Sequence, residues 1–168
     1  MVLVGPMGAG KTTVATLLAD RWGVTVRDTD HDVEAAAGKP ISEIFVDDGE
    51  QRFRELERAA VGRALAEHDG VLALGGGALL DPETRQALHR HRVAFLDVGL
   101  SDAVKRVGLG VGRPLLLGNV RGRIKTLLDE RRPVYEEVAT FVVPTDDRTA
   151  DQVADAVAAL VEEEEDHG

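Results

Sequence analysis

The sequence predicts an α/β fold. Short β-branched apolar runs recur along the chain, and stretches of helical period separate them. The runs are near-continuous in apolar character rather than alternating, as strands buried on both faces are. Strands separated by helices imply right-handed crossovers and a parallel sheet with helices on both faces.

Taken in order, Met1–Val4 reads as the first strand, followed by a helix from Lys11 with Val14, Leu17, Leu18 and Trp22 at helical spacing. Val24–Arg27 is the second strand, and helices start near Asp32 and Gly49. Within Glu50–Leu65, Phe53, Leu56, Ala60 and Ala64 form a core stripe. Val71–Leu74 is the third strand. Asp81 before Pro82 is an N-cap followed by proline at the first helical position. Val93–Val98 is the fourth strand, and Ser101 caps a helix from Asp102. A helix from Arg121, the strand Phe141–Val143 and a helix from Asp151 complete the pattern. Gly108 to Pro114 is too rich in glycine for a stable helix and predicts a mobile loop. The acidic run Glu162 to Gly168 is expected to fray into solvent.

The chain has 168 residues, enough for one domain with a real core, and no internal repeat. It contains no cysteine, which excludes disulfides and thiolate metal sites and suits a reducing cytoplasm. No apolar run is long enough to cross a bilayer, and no signal peptide is expected ahead of the first strand. The net charge of −10 argues against nucleic acid as a partner. An anionic small substrate must then be held by local arginines, against the field of the whole protein.

Gly5-Pro6-Met7-Gly8-Ala9-Gly10-Lys11-Thr12 matches the G-x-x-x-x-G-K-[ST] pattern in full. Glycines let the backbone curl so that N–H groups point at phosphate oxygens, and the following helix adds its positive end. Lys11 neutralises charge between β- and γ-phosphates, and the Thr12 hydroxyl suits Mg²⁺. An apolar strand before the loop and a helix after it supply the required context. The loop alone does not separate kinase, GTPase and motor.

A second magnesium carboxylate usually closes another apolar strand. Asp28, in the pair Asp28-Thr29-Asp30, is favoured; Asp97 has the right shape but reads as a structural strand end. Extended backbone through Asp28-Thr29-Asp30 would place both carboxylates on one side. By itself an Asp-x-Asp is more often a helix-capping loop. Gly75-Gly76-Gly77 follows a strand, either as a tight turn or as a close backbone approach to a ligand with amides free to donate.

Arg54 stands three residues from Glu57, either a surface ion pair or a held guanidinium. Arg131-Arg132-Pro133-Val134-Tyr135 is a second basic cluster, with proline expected to end the preceding helix. Arg113 sits in the glycine-rich loop, where a hinged guanidinium suits phosphoryl transfer.

Together these motifs resemble the shikimate kinase family, its actinobacterial members in particular. The resemblance rests on the phosphate loop, Asp28-x-Asp30, Phe53-Arg54-x-x-Glu57, Gly75-Gly76-Gly77, Gly112-Arg113-Pro114-Leu115 and Arg131-x-Pro133-x-Tyr135, over about residues 1–150. It implies a P-loop kinase domain over 1–168, with sheet order 2-3-1-4-5, a substrate region at 31–60 and a lid at 108–119. It implies Mg²⁺-dependent transfer from ATP to the 3-hydroxyl of shikimate by a cytoplasmic monomer. Catalytic residues would be Lys11, Asp30 and Arg113. Gly8, Ala9, Gly10, Lys11, Thr12, Thr13, Arg106, Arg113 and Arg148 would bind ATP. Asp30, Arg54, Gly75, Gly76, Gly77 and Arg131 would bind shikimate, with Ile41, Phe45, Phe53, Pro114 and Leu115 as walls. Thr12 and Asp28 would hold the metal. A gluconate or nucleoside-phosphate kinase is the nearest alternative enzyme, and a non-catalytic ATP switch the alternative of another class.

Overall fold

Five parallel strands, β1 (Val2–Val4), β2 (Val26–Asp28), β3 (Val71–Ala73), β4 (Val93–Asp97) and β5 (Phe141–Pro144), form one sheet in the order β2-β3-β1-β4-β5. The computed structural model of the protein describes residues 1–108 and 120–168. Seven helices lie between and after the strands among the described residues: α1 (Lys11–Trp22), α2 (Thr29–Ala37), α3 (Ile41–Glu67), α4 (Pro82–Leu88), α5 (Leu100–Gly108), α6 (Val120–Val138) and α7 (Ala150–His167).

The central strands β1, β3 and β4 are apolar throughout except at Asp97, because each is covered on both faces. One face packs Leu3, Ala73, Ala94 and Leu96 against Ala15, Leu18, Val153 and Val157 of α1 and α7. The other packs Val4, Leu72 and Phe95 against Val61, Leu79, Tyr135 and Val138. Val33, Ile44, Phe53 and Ala60 make a separate small cluster between α2 and α3. Edge strand β2 is half-open, and Val24, assigned to a strand by its apolarity, lies exposed ahead of it.

Helix ends differ from the sequence reading in instructive ways. Asp81 precedes Pro82 as expected, but its carboxylate accepts the Thr84 hydroxyl and Arg58, both at 3.1 Å. Ser101 is not a cap: α5 already includes Leu100, and the Asp146 carboxylate accepts Gly99 N–H at 2.9 and 3.0 Å from across the sheet edge. Pro133 does not end α6, which continues to Val138 because Tyr135 and Val138 are buried against the sheet. The acidic tail does not fray at Glu162, since α7 extends to His167 and Arg92 pairs with Glu164 and Glu165. Within α3 the backbone breaks at Gly49, with φ 87 and ψ 165, so a first segment from Ile41 and a second from Glu50 differ in direction. Gly108 closes α5, and the rest of the loop expected at 108–119, with Arg113, lies outside the described residues.

Candidate active site

Residues 5–10 pass from the C-terminal end of β1 into α1. Gly5 runs so close to β4 that a Cβ there would stand 2.7 Å from the Leu96 carbonyl oxygen. Gly10 takes φ 83 at the start of α1, a left-handed conformation that other residues adopt only with strain. Having no side chain, it caps none of the first N–H groups of the helix, which have no intrahelical acceptors. The loop thus opens onto the positive end of α1.

Lys11 folds over this loop, its Nζ donating to Gly5 O at 2.6 Å and Pro6 O at 3.2 Å. Burial of the ammonium lowers its pKa from the ordinary 10.5 to about 8; Asp30 and Asp28 pull it upward, and Arg131 pushes it further down. One residue on, the Thr12 hydroxyl donates to Asp28 Oδ2 at 2.9 Å. Thr13 is exposed at the same helix start, while in the loop Gly8 is half-buried and Ala9 buried.

Asp28 is both a strand end and a helix cap. Its backbone is extended, with φ −123 and ψ 122, and Oδ1 accepts Asp30 N–H at 2.9 Å while Oδ2 takes Thr12. The expectation of extended backbone through Asp30 is therefore corrected: α2 begins at Thr29, because the Asp28 carboxylate satisfies a first-turn amide. The two carboxylates still reach one cleft, with Asp30 one step into the helix. Burial raises the Asp30 pKa, the neighbouring Asp28 charge adds to the rise, and Lys11 opposes it.

Arg54 belongs to the second segment of α3. Its Nη1 donates to Glu57 Oε1 at 2.8 Å, and its guanidinium carbon lies 5.2 Å from the centre of the Phe53 ring. Glu57 is only 5% exposed, which no apolar periodicity anticipates, so this pair is more than a surface contact. Burial raises the Glu57 pKa, and Arg54 counters it. Phe45 packs on Phe53 with centroids 4.6 Å apart, and Ile41 lies against the same cluster.

Gly75-Gly76-Gly77 continues from β3 beneath these side chains. The Gly75 amide is not free to donate to a ligand, because it donates to Thr29 Oγ1 at 3.2 Å. Tyr135, 2% exposed and stacked on Phe95 at 5.0 Å, donates its hydroxyl to Gly76 O at 2.5 Å. A Cβ built on Gly76 would stand 3.7 Å from Arg131 Nη1 and 3.6 Å from Met7 N, so Arg131 and the phosphate loop meet over this glycine. The adjacent arginine points elsewhere: Arg132 donates to both oxygens of Asp97, at 2.7 and 2.8 Å. Asp97 is accordingly a structural strand end.

On the far side of the loop, Arg106 donates to Gly8 O at 2.8 Å and to Thr145 O at 3.3 Å. Arg148 is exposed in the turn after β5, with its N–H on the same Thr145 carbonyl at 3.3 Å. Thr149 follows as the N-cap of α7, which starts at Ala150. The roles of Glu57 and Tyr135 become legible only here. Sequence spacing offered Glu57 as a partner for Arg54, and nothing in the sequence gave the Tyr135 hydroxyl its acceptor.

Thr12 and Asp28 present a hydroxyl and a carboxylate to the same point, and no group of three His, Cys, Asp or Glu side chains forms a metal cage among the described residues. Such a sparse oxygen set fits Mg²⁺, which keeps several waters and takes further oxygens from substrate phosphates. None of the helices described is long and apolar enough to cross a membrane.

The strand–loop–helix at Gly5–Thr12 and the parallel sheet define a P-loop α/β protein, with a cleft beside the loop that gathers carboxylates and guanidinium groups. Comparison with known proteins narrows the class. Residues 7–162 match the family described as shikimate kinase. The chain is 62% identical over 160 residues to the shikimate kinase of Salinispora arenicola, covering 95% of this chain and 96% of that one. It is 58% identical to that of Frankia casuarinae over 96% of this chain and 72% of the other. Among solved structures, shikimate kinase from Acinetobacter baumannii in complex with shikimate superposes with a TM-score of 0.90 at 34% identity, covering 97% of this chain and 92% of that one. The chain belongs to the shikimate kinase family.

Proposed function

We infer that the protein transfers the γ-phosphoryl group of ATP to the 3-hydroxyl of shikimate, in the route to chorismate and the aromatic amino acids. The observation that carries this reading is the meeting of Lys11, Asp30, Arg54 and Arg131 around Gly75-Gly76-Gly77, in a chain of this family. A small carboxylated polyol requires guanidinium forks for its carboxylate and a carboxylate for its hydroxyl groups.

In the proposed reaction the shikimate 3-oxygen bonds to the γ-phosphorus, the bond from that phosphorus to the β-phosphate oxygen breaks, and the hydroxyl proton is released. Arg54 and Arg131 hold the substrate carboxylate, and Glu57 fixes the Arg54 fork. Asp30 positions the 3-hydroxyl, and its raised pKa suits it to receive the proton. Lys11 accompanies the phosphate oxygens as charge builds on them, and the first amides of α1 cradle them. Arg106 and Arg148 flank the nucleotide base, and Arg113 adds a cation from the lid at 108–119. Thr12 and Asp28 would hold Mg²⁺, which when bound would neutralise phosphate charge. In this transition state little activation of the nucleophile is required, so positioning carries much of the rate. A cysteine-free chain that consumes ATP suits the cytoplasm, and we take it to act there as a monomer.

The test is a coupled ADP-release assay with shikimate, gluconate and CMP offered separately. Turnover with shikimate alone is expected. Turnover with gluconate or CMP and none with shikimate would replace this substrate with another, and ATP binding without transfer to any of them would point to a nucleotide switch.

A further inference from the structure

We propose that Gly75 and Gly77 are positioning residues, whose missing side chains set where Asp30 and Arg54 stand. The inference rests on the proposed function and extends it to how the two ends of the substrate are gripped. Backbone conformation does not explain these glycines. None of Gly75, Gly76 and Gly77 has a positive φ, and Gly77 lies at φ −100, ψ 3, which any residue can adopt. What distinguishes the outer two is the space above them. A Cβ on Gly75 would fall 2.5 Å from Asp30 Oδ1 and 3.2 Å from Glu57 Oε2. A Cβ on Gly77 would fall 2.5 Å from Arg54 Nη1 and 2.9 Å from its Nη2. The central Gly76 differs, since its Cβ would meet only ordinary contacts of 3.6 Å and beyond.

The loop therefore works as a floor with two recesses. One receives the carboxylate assigned to the acceptor hydroxyl, and the other the guanidinium assigned to the substrate carboxylate. The floor itself is held by Gly75 N–H on Thr29 Oγ1 and by the Tyr135 hydroxyl on Gly76 O, and both hydrogen bonds oppose its shifting to make room. A methyl group in either recess must displace the side chain above it. Those atoms are the far ends of side chains rather than backbone, so the fold should survive while the site loses its geometry, including the Arg54–Glu57 contact.

Gly75→Ala and Gly77→Ala separate the two recesses, assayed by steady-state kinetics and thermal unfolding beside the wild type. Gly77→Ala is expected to raise the shikimate KM about tenfold with kcat changed less than about threefold, the signature of lost uniform binding. Gly75→Ala is expected to lower kcat by about tenfold or more, because the acceptor hydroxyl is misaligned in the transition state. Both should keep the ATP KM and the unfolding midpoint near those of the wild type. The deciding measurement repeats Gly77→Ala in an Arg54→Ala background, where no guanidinium is left to displace and the further loss should vanish. A loss of the same factor in that background would mean that the methyl group blocks the substrate directly, and would overturn the inference. So would unfolding of either variant, or an equal rise in the ATP KM. A wild-type protein that leaves shikimate unphosphorylated would overturn the function and this inference together. An active wild type with unaffected glycine variants would overturn the inference alone.

Discussion

Arg132 holds both carboxylate oxygens of Asp97, at 2.7 and 2.8 Å, and so ties α6 to the end of β4 beside the phosphate loop. Successive residues on a helix point about 100° apart, which turns the neighbouring Arg131 toward Gly76. Arg131→Ala is expected to weaken shikimate binding by about 1.5–3 kcal/mol, as for a lost charge-assisted hydrogen bond, with ATP binding much less affected. Arg132→Ala should leave the shikimate KM within about twofold and instead lower the thermal midpoint slightly, since a partly exposed ion pair contributes about 0–1 kcal/mol. Shikimate titrations and melting curves of the two variants distinguish them.

Asp28 and Asp30 should separate by their response to metal. Asp28 accepts the Thr12 hydroxyl at 2.9 Å, so Asp28→Asn should weaken the response to Mg²⁺ and be partly rescued at high concentration. Asp30→Asn should bind Mg²⁺-ATP normally but lose shikimate turnover, with no rescue. The measurement is a Mg²⁺ titration of initial rate for both proteins, alongside ATP binding without shikimate. Rescue of Asp30→Asn alone would reverse the two roles.

Lys11 makes a prediction about pH. In the proposed reaction its ammonium, with a pKa near 8, is the form that would meet phosphate oxygens, so kcat/KM for ATP should fall as pH rises through about 8. Stability should move the other way. Above about 8 the folded lysine has lost its proton while the unfolded one keeps it up to 10.5, so the unfolded state binds more protons and stability rises across that interval. Lys11→Ala should remove this rise, keep the fold and cost about 3 kcal/mol or more of transition-state stabilisation. On the acid side, kcat/KM for shikimate should fall as Asp30 is protonated, beginning above the ordinary aspartate range.

Tyr135→Phe removes one hydroxyl and keeps the ring on Phe95. Gly76 O would lose its donor, at a cost of about 1–3 kcal/mol if it stays buried. The expected result is a lower thermal midpoint together with a higher shikimate KM, because the same carbonyl belongs to the glycine facing Arg131. Burial raises the phenol pKa, so neither effect should vary between pH 6 and 9, roughly the range below an unperturbed tyrosine.

The order of strands and helices was legible in the sequence because apolar runs and glycine or proline boundaries are local signals. The phosphate loop was legible for the same reason, as Gly5 to Thr12 are consecutive. What escaped were groups whose partners lie far along the chain. Asp146 reaches Gly99 across 47 positions, so Ser101 looked like the cap. Thr29 occupies the Gly75 amide across 46, so that amide looked free. Pro133 looked like a helix end because its local cost is visible in sequence and the burial of Tyr135 and Val138 that offsets it is not. Glu57 sits on the core face of α3, where Arg54 and, more remotely, Arg131 offset its charge.

The cluster of Val33, Ile44, Phe53 and Ala60 is separate from the two cores that sandwich the sheet. The helical segments that carry Asp30 and Arg54 are therefore fastened by the smallest of the three apolar clusters, and local opening there should need less free energy than global unfolding. In native-state hydrogen exchange, amides of α2 and of the Ile41 segment of α3 should exchange well before those of β1, β3 and β4. Shikimate, bridging both segments to the glycine floor, should slow them selectively. The region that must accommodate each new substrate molecule would then be the region that the ligand itself completes.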